Sequence, residues 1–80
     1  MKTADLYISA YIQLTTKQPP TLKLDANKRI YFLFPGVNED EGQRFYTDSP
    51  VPVASYVAIL KALKSRMFNE KEQLGGFGHD

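Results

Sequence analysis

Pro19 and Pro20 stand side by side and cut the first quarter of the chain from the rest. Neither has a backbone N–H to donate, so neither a helix nor a central strand continues through them. Whatever residues 4–15 form therefore ends near Lys17-Gln18, and a new element begins at Thr21.

Before the prolines the pattern admits two readings. Leu6, Ile8, Ala10, Ile12 and Leu14 alternate with Tyr7, Ser9, Tyr11 and Gln13, a period of two that suits a strand. Ile8, Tyr11, Ile12 and Thr15 also fall at helical spacing. Thr3 would then serve as N-cap, with Asp5 in the first turn where a carboxylate suits the helix dipole. After the prolines the pattern is plainer. Thr21-Leu22-Lys23-Leu24 and Ile30-Tyr31-Phe32-Leu33-Phe34 flank a short polar segment holding Asp25 and Asn27, the signature of a β-hairpin. Leu22, Leu24, Ile30, Phe32 and Phe34 would share one face, with Tyr31 and Leu33 on the other.

Pro35-Gly36 opens a polar loop through Gly42, and Gln43-Arg44-Phe45-Tyr46-Thr47 is the candidate third strand of a meander. Residues 53–68 predict a helix, because Val53, Tyr56, Val57, Leu60, Leu63 and Met67 recur at spacings of three and four. Pro52 is tolerated beside its first turn. Lys61, Lys64 and Arg66 load its second half with positive charge, as the helix dipole favours. The chain thus reads as α+β in the order α-β-β-(β)-α, with two helices packed on one face of a small antiparallel sheet. One domain spans 1–68, and 69–80 read as a flexible tail.

Thr3-Ala4-Asp5-Leu6-Tyr7-Ile8-Ser9-Ala10-Tyr11 resembles the opening of a small uncharacterised bacterial and phage domain family, T-S-D-L-Y-L-A-A-Y. That family continues to a strand ending V-F-x-F and closes on a helix bearing A-L-K-x-L-K-S. The counterparts are Ile30-Tyr31-Phe32-Leu33-Phe34 and Ala58-Ile59-Leu60-Lys61-Ala62-Leu63-Lys64-Ser65. The resemblance covers roughly residues 3–68 and implies that the first segment is helical. It also implies an origin in bacteria, phage or mobile elements. The family has no known function, so no catalytic residues carry over.

Composition narrows the chemistry. Eighty residues without a cysteine exclude thiol nucleophiles and disulfides, and point to a cytoplasmic protein. The single histidine, His79, lies in the expected tail, which leaves neither a zinc site nor a Ser-His-Asp arrangement. Glu39-Asp40-Glu41 lacks the ligand spacing of a calcium loop, and the isolated glycines do not form a phosphate cradle. No apolar run approaches the roughly 20 residues of a membrane span. The expectation is a non-catalytic module without cofactor, metal or membrane partner.

Net charge is only +1, but it comes in blocks. Residues 1–35 carry five Lys or Arg against two Asp, while 36–50 carry four carboxylates against Arg44. Lys23, Lys28, Arg29 and Tyr31 cluster around the hairpin, with Arg44 and Tyr46 on the candidate third strand. Cations that neutralise phosphates beside aromatics that stack on bases suit a surface for single-stranded DNA or RNA. The same residues serve equally as cross-strand packing pairs and edge protection. A further alternative is a protein partner or a second copy laid on the open sheet face.

Overall fold

Asp5, not Thr3, starts the first helix. The computed structural model describes residues 1–47 and 50–75, and in it the Asp5 carboxylate accepts the N–H groups of Tyr7 and Ile8 at 2.9 and 3.0 Å. Helix α1 then runs Leu6–Thr16, which settles the strand-or-helix alternative in favour of helix. Its burial explains why the pattern was ambiguous. Ile8, Ser9, Ala10, Tyr11 and Ile12 are all buried, so consecutive positions face protein and no narrow stripe marks a period. Ser9 is fully buried yet satisfied, its hydroxyl donating to the Asp5 carbonyl at 2.8 Å. Lys17 closes the helix in the left-handed conformation (φ 59°), its N–H donating to the Gln13 carbonyl, and Pro19-Pro20 follow directly.

Thr3 has another role. Lys2–Thr3 form a two-residue strand, β1, ahead of the hairpin strands β2 (Thr21–Leu24) and β3 (Ile30–Leu33). The sheet order is β1-β3-β2, antiparallel throughout. The sheet's third strand is therefore N-terminal, and the expected one at 43–47 is absent. That stretch is instead helical: α2 occupies Glu39–Gln43 and a single 3-10 turn occupies Arg44–Tyr46. Local chemistry accounts for the difference. Asn38 caps α2 by accepting the Asp40 N–H, and Glu39, Asp40 and Glu41 fill its first turn, where carboxylates favour the dipole. The Phe45 ring then meets Tyr11 edge-on at 5.9 Å, tying this segment to α1 rather than to a strand.

Helix α3 spans Val53–Gly75, so it continues through the region where the sequence places the start of a tail. Residues 76–80, including His79, lie outside the described residues. Its contact face is also rotated from the expected stripe. Leu63 is buried and Tyr56, Ile59, Leu60 and Met67 are half-buried, whereas Val53 and Val57 are exposed. α1 and α3 together cover the sheet face carrying Leu22, Ile30 and Phe32, as the α+β reading predicts. Arg66 fastens α3 to the start of β2 by donating to the Pro20 carbonyl at 3.2 Å.

The Tyr56 hydroxyl joins the two long helices, donating to the Tyr7 carbonyl at 3.0 Å. Partial burial, then the negative charge of Asp5 and the neighbouring Tyr7, push this phenol above the ordinary 10.0. The folded state thus holds the Tyr56 proton more tightly than the unfolded chain does. The contribution is complete below the unfolded value and is lost as pH rises through the folded one. Tyr56→Phe removes both hydrogen bond and titration. The stability margin of the natural chain over Tyr56→Phe should be constant below about pH 9 and shrink above about pH 10. Denaturant midpoints measured on both chains across that range test this; a margin independent of pH contradicts it.

Candidate functional site

Strand pairing decides which side chains share the uncovered face. Thr3, Phe32 and Leu22 form one cross-strand row, and Phe32 and Leu22 are buried beneath the helices. The adjacent row, Lys2, Leu33 and Thr21, points the other way, as do Tyr31 and its partner Lys23. The open face therefore carries Lys2, Thr21 and Lys23, all exposed, with Tyr31 and Leu33 half-buried. Lys2 reaches diagonally across it, its Nζ 4.4 Å from the centroid of the Tyr31 ring. A cation over one aromatic face holds the ring in place and keeps positive charge beside it. None of the strand residues on this face is acidic. Glu39 borders only its far end, lining a shallow depression of about 370 Å³ with Lys2, Leu33 and Pro35 among others.

The hairpin turn adds two more cations. Asp25 and Arg29 are joined by an Asp25 N–H to Arg29 carbonyl bond at 2.9 Å, and the Lys28 N–H donates to the Asp25 carbonyl. The Asp25 carboxylate accepts the N–H groups of Asn27 and Arg29, both at 2.9 Å. This three-residue loop requires a left-handed residue before the second strand, a position where glycine is favoured. Lys28 occupies it at φ 62°. Asp25 thus spends its carboxylate on shaping the turn, and Lys28 and Arg29 are left exposed at the end of the sheet.

Of the six residues singled out from the sequence, four come together: Lys23 and Tyr31 on the open face, Lys28 and Arg29 at its hairpin end. Arg44 and Tyr46 do not join them. Both lie in the 3-10 turn beside α1, Arg44 facing Glu41 at 3.8 Å and Tyr46 stacked edge-on with Phe45 at 5.4 Å. Nothing in the sequence marks Lys2 as a member of this face, because a two-residue strand carries no periodicity.

Among the described residues no group of three or more His, Cys, Asp or Glu side chains is placed to hold a metal ion. No described helix is long and apolar enough to cross a membrane. No protein-family model, curated protein or solved structure matches the chain, so the likeness to the bacterial and phage domain rests on the residues quoted for it.

Proposed function

We propose that the chain is a non-catalytic binding module whose open sheet face takes single-stranded DNA or RNA. One observation carries this reading: the register gathers Lys2, Lys23 and Tyr31 on the side of the sheet that no described helix covers. Lysines flanking the ring would neutralise phosphates while the exposed part of the ring stacks on a base. Lys28 and Arg29 extend the cationic track beyond the hairpin. With a net charge of only +1, attraction comes from this local track rather than from the whole molecule, so affinity is modest and sensitive to salt.

Fluorescence anisotropy with a labelled single-stranded oligonucleotide, at two or more salt concentrations, tests it. Tyr31→Ala should weaken binding by on the order of tenfold through lost stacking. Lys23→Ala should lower the slope of log affinity against log salt by about one. Lys28→Gly separates binding from folding. It relieves the left-handed backbone and should stabilise the hairpin by about 0.5–1 kcal/mol, yet it removes a phosphate contact and weakens binding. Absence of binding at low salt ends the proposal. Binding without salt dependence removes its phosphate basis and leaves stacking on Tyr31 as the contact.

A further inference from the structure

Helix α3 is longer than the sheet it covers. Its 23 residues extend about 35 Å, whereas a four-residue strand reaches only about 13 Å. The face carrying Leu63 and Met67 meets the core, and Arg66 makes the contact to Pro20. On the opposite side of the same turns stands Phe68, 63% exposed, with Lys61, Lys64, Ser65 and Asn69 around a depression of about 490 Å³. Phe68 is the largest side chain lining this depression, and among the described residues none covers it.

We infer that this face is the contact between two copies of the chain, paired through antiparallel α3 helices. The depression has the composition of a packing hole. Lys61, Lys64, Ser65 and Phe68 are spaced i, i+3, i+4 and i+7, the four corners that receive one side chain from a facing helix. Ser65 is the smallest of the four corners and leaves room in the hole, and the residue of the right size to fill it is Phe68 of the second copy. Placing the two-fold axis midway between Ser65 and Phe68 puts each Phe68 into the other copy's hole. The same axis sets Lys61 against Glu72 of the partner, twice over. Lys61, Phe68 and Glu72 lie along one helical stripe, and both charged residues are exposed in the single chain. Shape and charge select the same register, and its symmetry closes the assembly at two copies.

A helix pair of this length buries well under the roughly 1,600 Å² of a standard interface, so the dimer is weak and depends on concentration. Sedimentation equilibrium from roughly 10 µM to roughly 1 mM covers the range in which such a contact forms. The natural chain should pass from monomer towards twice its mass. Phe68→Ala should weaken association by more than about tenfold, with its circular dichroism unchanged because the ring contributes little to the folded monomer. Lys61→Glu and Glu72→Lys should each weaken it, since each sets like charges together at two places. The double variant should recover the natural constant to within about threefold. Tyr31→Ala, on the open sheet face, should leave it unchanged. A chain that stays monomeric throughout overturns the inference. So does a double variant no better than the singles, or a loss with Tyr31→Ala, which would move the contact to the sheet.

Discussion

Phe32→Ala should cost about 3–5 kcal/mol and leave little folded protein at 37 °C. Phe32 is fully buried at the centre of β3, paired with Thr3 on one side and Leu22 on the other. The sheet has no other central strand, so each remaining strand depends on β3 for its hydrogen bonds. A domain of 80 residues has about 4–12 kcal/mol in total, so removing this ring takes a third of that or all of it. Phe32→Leu keeps most of the volume and should cost less than half as much. Denaturant titration of the two variants gives the comparison. A Phe32→Ala loss below about 1.5 kcal/mol would mean that the helices, not the sheet, organise the core. Because Tyr31 and Leu33 lie on the same strand facing outward, losing Phe32 also dismantles the proposed binding face. Binding by Phe32→Ala is therefore informative only where the variant remains folded.

How much of this was legible beforehand follows from where each signal resides. The hairpin was readable, because Leu22 and Leu24 alternate with exposed positions and Asp25 and Asn27 mark the turn. The face shared by Ile30, Phe32 and Phe34 followed from the same alternation. β1 was not readable, since Lys2 and Thr3 become a strand only by pairing with Leu33 and Phe32 far along the chain. Part of the helical segment at 39–46 reads as strand in the sequence because Phe45-Tyr46-Thr47 is a β-rich run. A cap at Asn38 and three carboxylates in the first turn outweighed that preference. That error accounts for the two misplaced members of the candidate site, Arg44 and Tyr46. The members set by the hairpin, Lys23, Lys28, Arg29 and Tyr31, came together on or beside one face because register alone determines them. Periodicity found the helix at 53–68 but not which side faces inward. Val53 and Val57 fit the stripe as well as Ile59 does, and only contact with α1 distinguishes them.

The orientation of α3 carries the last prediction, because the inferred contact through Phe68 depends on it. Leu63 is 1% exposed, and it is the only described α3 residue that is buried; the other apolar contacts of this helix are half-open. Leu63→Ala should therefore cost about 2–4 kcal/mol, and the loss should fall first on α3. With its anchor gone, α3 retains the Tyr56 hydroxyl and Arg66 as polar ties, both at solvent-accessible positions. Amide exchange should then show α3 opening while β2 and β3 remain protected, so that α3 separates from global unfolding as a local unit. Phe68→Ala, one residue past Met67 and turned about 100° away from its core-facing side, should shift stability by less than about 0.5 kcal/mol. The contrast between the two variants is the measurement that matters. If Phe68→Ala were the costly one, α3 would dock through the opposite face. Phe68 and Lys61 would then be occupied within the chain and could not meet a second copy.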